Sequence, residues 1–230
     1  MNLVTHDFVD PDALAFALAR AVASDLVRAI AARGSALLAV SGGRTPLKFF
    51  RALAQQQLEW DKVTTTLVDE RWVPPTHERS NAALVLANLL RGDAAAAKFA
   101  PLYEPGASDP QSALAEVSAR IGRLALPCDA VVLGMGDDGH TASFFPGGDH
   151  LAAALDPHGK ARVLPMRAPG AGEPRITLTL PVLVDAHALY LHIEGTRKYE
   201  VLRAAESNDS LPVSAVLRHA RVPVQIYWCA

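Results

Sequence analysis

Asp137, Asp138 and His140 lie among four glycines in LGMGDDGHTASFFPG, residues 133–147. Gly134, Gly136 and Gly139 reproduce the spacing G-x-G-x-x-G, which in dinucleotide-binding proteins turns the backbone around a pyrophosphate. Two aspartates inside the turn would repel that pyrophosphate, so a nicotinamide or flavin site is a poor reading of this loop. The same residue types suit proton transfer. An imidazole titrates near neutrality and is the most common general base. Glycines let the loop place His140, and a carboxylate at Asp138 can orient its ring. The seven other histidines (His6, His77, His150, His158, His187, His192 and His219) read as ordinary side chains, and no pair has metal-ligand spacing.

Two further stretches carry groups that suit an anion. In SGGRTP, Gly42 and Gly43 permit a sharp turn and close approach of a ligand. Pro46 then opens a helix, with Thr45 as the expected N-cap, whose free N–H groups and positive dipole end favour a phosphate or carboxylate. Arg44 adds charge. The stretch also nearly fits a serine nucleophile elbow, but Ala39 stands where G-x-S-x-G requires glycine, so Ser41 is expected to satisfy backbone or touch ligand. In VDERWVPPTHERSN, Asp69, Glu70, Arg71, Arg79 and Asn81 follow an apolar run, and Pro74 and Pro75 stiffen the loop. Such a run is commonly a solvated loop with internal ion pairs; held rigid, its arginines could grip a phosphate in bidentate fashion.

The elements that must position these loops are legible from apolar periodicity. DPDALAFALARAVASDLVRAIAARG reads as a helix capped by Asp10, begun by Pro11 and stopped by Gly34, with Leu14, Leu18, Val22, Leu26 and Ile30 on one stripe. SALLAVSGG, VTTTLVD, CDAVVLGMG, RITLTLPVL, HALYLHIEG and VPVQIYWCA read as strands. TPLKFFRALAQQ, SNAALVLANLLRG, PQSALAEVSARIGRLAL and TRKYEVLRAAES read as helices. Short continuous apolar strands alternating with helices predict an α/β fold with a mainly parallel, Rossmann-like sheet and helices on both faces. Ligands of such sheets bind beyond the strands' carboxyl ends. The three loops therefore belong on one side.

Bulk properties narrow the class. A chain of 230 residues, half of them hydrophobic, can form one domain spanning 1–230 and bury roughly 70% of its unfolded surface without a metal or disulfide. A formal net charge of −2 gives no footprint for nucleic acid, so any phosphate site must be local. Cys128 and Cys229 sit in apolar company and read as buried thiols of a reducing compartment. MNLVTHDFVDP lacks the features of a signal peptide, and no stretch approaches the ~20 apolar residues of a membrane span. A soluble, cytoplasmic monomer is the expectation.

Taken together, SGGRTP, DERWVPPTHERSN and GMGDDGHTASFFPG resemble the 6-phosphogluconolactonase family in order and spacing, and RITLT and EGTRK fit it too. The resemblance spans nearly the whole chain, with DGHTASFFP its most specific piece. It implies a fold related to glucosamine-6-phosphate deaminase and ribose-5-phosphate isomerase. It further implies hydrolysis of 6-phospho-D-glucono-1,5-lactone in the oxidative pentose phosphate pathway, with no cofactor and no metal. His140 matches the family's catalytic histidine, and Asp69 and Arg71 its D-x-R pair. Lys198 matches the lysine expected at the phosphate, and Arg175 a basic residue lining the same pocket. The phosphate end of the sugar would lie by Gly42, Gly43, Arg44 and Thr45. Arg79, Asn81, Gly136, Asp138, Gly139 and Thr141 complete the implied contacts. A deaminase or isomerase of the same fold is the nearest alternative, although GHTASFFP departs from the deaminase's GHIAFNEP-type loop. A non-catalytic sugar-phosphate sensor and a Ser41 esterase are more distant ones.

Overall fold

The computed structural model describes residues 1–230. Its strands are Leu3–Phe8 (β1), Ala36–Val40 (β2), Val63–Leu67 (β3), Asp69–Arg71 (β4), Lys98–Ala100 (β5), Ala130–Leu133 (β6), Val163–Met166 (β7), Arg175–Leu178 (β8), Leu189–Glu194 (β9) and Val224–Cys229 (β10). Its α-helices are Pro11–Arg33 (α1), Leu47–Ala54 (α2), Asn81–Asn88 (α3), Leu114–Gly122 (α4), Leu151–Ala154 (α5), Leu180–Val184 (α6), Thr196–Ala205 (α7) and Pro212–His219 (α8).

Seven strands form a parallel sheet in the order β1-β10-β9-β6-β2-β3-β5. All five residues of β2 and all four of β6 are buried. Consecutive buried residues point to opposite faces of a strand, so both faces of the sheet must be covered. α1 supplies cover over β1, β2, β6 and β10, and its stripe Leu14, Leu18, Val22, Leu26 and Ile30 is buried as the spacing predicts. Asp10 accepts the Ala13 N–H at 2.8 Å, and Gly34 ends the helix at φ 77° with its N–H on the Ile30 carbonyl. The apolar core is one cluster of 63 buried residues, and both cysteines lie within it.

Several elements depart from the sequence reading. The expected strand VTTTLVD is divided at Val68: β3 stays in the large sheet while β4 joins β8 and β7 in a separate three-stranded antiparallel sheet. Val68 serves both, donating to the Val40 carbonyl and accepting from the Leu178 N–H. RITLTLPVL is not one strand but β8 followed by α6, because Pro181 suits the first turn of a helix and cannot donate to a ladder. α2 begins after Pro46, and Thr45 makes no capping bond. α4 is shorter than its apolar pattern suggested, and β1 and α8 form where no element was expected.

Candidate active site

The carboxyl ends of β2, β3 and β6 do open on one side, where a pocket of about 220 Å³ is lined from all three loops and from β4, β8, β9 and α7. Three sets of contacts build it.

The first begins at Ser41, whose hydroxyl accepts the Gly134 N–H at 3.0 Å and so ties the β2 loop to the β6 loop. Engaged this way, Ser41 is a turn residue rather than a poised nucleophile. Gly42 is required by close approach, since a Cβ there would overlap the Asn81 side chain. Gly42, Gly43, Arg44, Thr45 and Pro46 all line the pocket.

The second is built on Glu70, which is fully buried. Its carboxylate accepts the N–H groups of Arg71, Asn81 and Ala82 at 2.7–2.8 Å and the Ser80 hydroxyl at 3.2 Å. Burial pushes its pKa above the ordinary value, and the three backbone donors work against that shift. Glu70 thus joins β4 to the start of α3 and sets the positions of Arg71 and Asn81. Asn81 donates to the Asp69 carbonyl at 2.9 Å, and the Ser143 hydroxyl donates to the Asp69 carboxylate at 2.6 Å. Arg175 lies 3.7 Å from that carboxylate and donates to the Ala171 carbonyl.

The pairing of β4 with β8 sets Arg71 directly opposite Arg175. Like charges facing each other across a strand pair are destabilising unless an anion offsets them. Burial lowers the Arg175 pKa from its ordinary value, with Asp69 opposing the shift and Arg71 adding to it. The Nε atoms of both arginines and Oδ1 of Asn81 are buried with no protein partner. All three residues line the pocket, and two guanidinium groups beside an amide suit an anionic, hydroxyl-bearing ligand.

The third set holds the imidazole. His140 Nδ1 lies 2.5 Å from Asp138 Oδ1, and the same oxygen accepts the His140 backbone N–H at 3.1 Å. Partial burial raises the Asp138 pKa, but its hydrogen bonds with the His140 ring and backbone, and the imidazole's charge, hold it below the ordinary aspartate value. A carboxylate at Nδ1 places the neutral ring's proton there and leaves the Nε2 lone pair available. The ring stacks on Phe145 at 4.3 Å, and the Arg175 guanidinium lies over the same phenyl ring at 5.2 Å. Phe145 therefore links the imidazole to the arginine pair. A Cβ on Gly136 would overlap the His140 ring, and Gly139 turns at φ 75°. Ala142, also on the lining, adopts φ 48°, an uncommon conformation for a residue with a side chain.

Asp69, Arg71, Asn81, Gly136, His140, Arg175 and Lys198 line the pocket with the β2 loop, as the sequence suggested. Four suggested contacts stand behind its wall. Arg79 pairs with Glu173 at 2.8 Å and offers its carbonyl to Arg71. Asp138 holds His140, Thr141 donates to the Gly134 carbonyl at 2.8 Å, and Gly139 packs on Leu211. Ser143 and Phe145 were missed as supports, and His192, classed among the ordinary histidines, lines the pocket. No strand periodicity marks a histidine as ligand-facing; only the register of β9 with β6 brings it there. No three His, Cys, Asp or Glu side chains converge as metal ligands.

A parallel sheet whose carboxyl-edge loops carry an imidazole, facing an arginine pair on a small antiparallel sheet, fits an α/β enzyme. The chain belongs to the family described as glucosamine-6-phosphate isomerases/6-phosphogluconolactonase, whose pattern matches residues 9–228. It is 54% identical over 231 residues to a 6-phosphogluconolactonase of Rhizobium meliloti, covering 99% of each chain. The crystal structure of a 6-phosphogluconolactonase from Shewanella baltica superposes with a TM-score of 0.96 at 38% identity, over 99% of this chain and 98% of that one. A monomeric glucosamine-6-phosphate deaminase shares the fold, with a TM-score of 0.77 at 16% identity over 99% of this chain and 97% of that one. No helix is long and apolar enough to cross a membrane.

Proposed function

We propose that the pocket hydrolyses 6-phospho-D-glucono-1,5-lactone to 6-phospho-D-gluconate, a cytoplasmic step of the oxidative pentose phosphate pathway, within a single domain spanning 1–230. One observation carries the reading: a free imidazole nitrogen and two facing, incompletely partnered arginines share one pocket. The names of the relatives agree with it.

In the mechanism, the phosphate lies by Gly42, Gly43, Arg44 and Thr45 with Lys198, and the lactone carbonyl lies by His140. His140 Nε2 takes a proton from water as the water oxygen bonds to C1 and the carbonyl π electrons move onto its oxygen. Arg71 and loop N–H groups stabilise that oxyanion. Its collapse re-forms the carbonyl and breaks the bond from C1 to the ring oxygen, and the imidazolium returns the proton to that oxygen. The product acid then ionises. A lactone is already activated, so no covalent nucleophile is needed and Ser41 has no role in bond breaking. Asp138 holds the ring throughout, while Asp69 acts through Arg175 and Asn81.

A direct assay of phosphorylated and unphosphorylated lactone with wild type and His140→Asn tests the reading. Wild type is expected to prefer the phosphorylated lactone, and the variant to lose turnover. Wild-type rates in His140→Asn would refute the imidazole's role. Release of ammonia from glucosamine 6-phosphate would move the chain to the deaminase branch.

A further inference from the structure

The pocket contains a second imidazole that the mechanism above leaves unused. His192 is 2% exposed and lies on β9. The ladders end at Val40 with Val132 and at Leu133 with Leu191, so continuing the register two residues past the first and one past the second sets Gly42, Gly134 and His192 level at the carboxyl edge. All three line the pocket, as do Thr45, Pro46 and Lys198. The His192 ring meets Phe49 of α2 edge-on at 6.4 Å, which sets it beneath the first turns of the helix that follows the glycine loop. Its Nε2 lies 3.1 Å from Glu194 Oε1, and its Nδ1 is buried with no partner.

A buried nitrogen with no partner is costly unless something fills the position. His192 shares the pocket lining with a glycine turn, a helix start and a lysine, all of which favour an anion. With one N–H directed at Glu194 and the other at a phosphate, both ring nitrogens would act as donors. We propose that His192 is a specificity-determining residue, its Nδ1–H donating to the substrate's phosphate while Glu194 anchors the opposite nitrogen. The proposal rests on the reading of the pocket as a phosphosugar site, but not on the lactonase chemistry. The molecule then uses two carboxylate-backed imidazoles, one for the carbonyl and one for the phosphate.

The test compares His192→Leu, which removes the donor, with His192→Asn, whose amide nitrogen can occupy the Nδ1 position. With phosphorylated lactone, His192→Leu is expected to raise KM about tenfold or more, the size of one charge-assisted hydrogen bond, with kcat within about twofold. His192→Asn is expected to recover most of that loss. The preference for phosphorylated over unphosphorylated lactone should fall by the same factor. Equal losses on both substrates, or an unmoved KM, would overturn the assignment. A second readout needs no variant and no turnover: nitrogen-15 spectra of histidine-labelled wild type. Adding 6-phosphogluconate should convert the His192 Nδ1 signal to the protonated form, and gluconate should not. That conversion in a protein that fails to hydrolyse the lactone would uphold the phosphate contact and end the lactonase reading. A silent His192 in an active lactonase would do the reverse.

Discussion

The pocket's two imidazoles are built alike and placed differently. Each has a carboxylate two residues away along the chain: Asp138 for His140 and Glu194 for His192. The loop histidine is held through Nδ1, and its side chain keeps 30% exposure. The strand histidine is held through Nε2 and is sealed between β9 and α2. A general base must exchange protons with water and substrate, which favours the open position. A group that grips a phosphate gains from a dry one, where a charge-assisted hydrogen bond competes less with solvent. On the proposed reading, the same pair of residue types serves chemistry on a glycine loop and binding on a strand, and the backbone beneath decides which.

The strongest challenge to this division is His140→Asn. Loss of the base is expected to lower kcat by about 10²–10⁴-fold with KM nearly unchanged, read from steady-state kinetics. A KM effect of comparable size would place His140 in binding and erase the contrast. Gly136→Ala comes next. Its methyl would overlap the His140 ring and crowd Asp138, so the loop must shift, and kcat is expected to fall by roughly 10² while the fold persists. Lys198→Ala probes the phosphate end: KM for the phosphorylated lactone should rise about tenfold with kcat little changed. A kcat collapse there would show that the lysine touches the reacting carbon instead.

The smallest effect is on stability. Asp138 ionises more readily in the folded chain than its ordinary value of 3.8. Its contribution to stability is therefore present above that value and lost as pH falls through the lowered one. Thermal melts taken from pH 5 downward should show a shallower acid loss for Asp138→Asn than for wild type. Identical slopes would mean that the Asp138–His140 contact does not contribute to folding.

Much of this was legible because local signals and burial agree. Continuous apolar runs announced β2 and β6, and the Asp10–Pro11 start and Gly34 stop announced α1. Asp138 two residues before His140 announced an oriented imidazole. The antiparallel sheet was not legible. Asp69–Arg71 is only three residues long, and what separates it from β3 is the availability of β8, more than a hundred residues away, as a partner. Nor could Arg79 be told from Arg71 by type; Glu173 claims one, and the pairing of β4 with β8 sets the other at the pocket.

Taken alone, the amino-acid order determined which segments become strands and helices, and that glycines, arginines and an imidazole gather at strand ends. Those outcomes follow from short-range forces: periodicity, capping and the freedom of glycine. Tertiary structure alone decided that Arg71 faces Arg175, that Arg79 and Thr141 stand behind the wall, and that His192 enters the pocket. Each depends on register and burial between segments far apart in the chain, which no local pattern encodes.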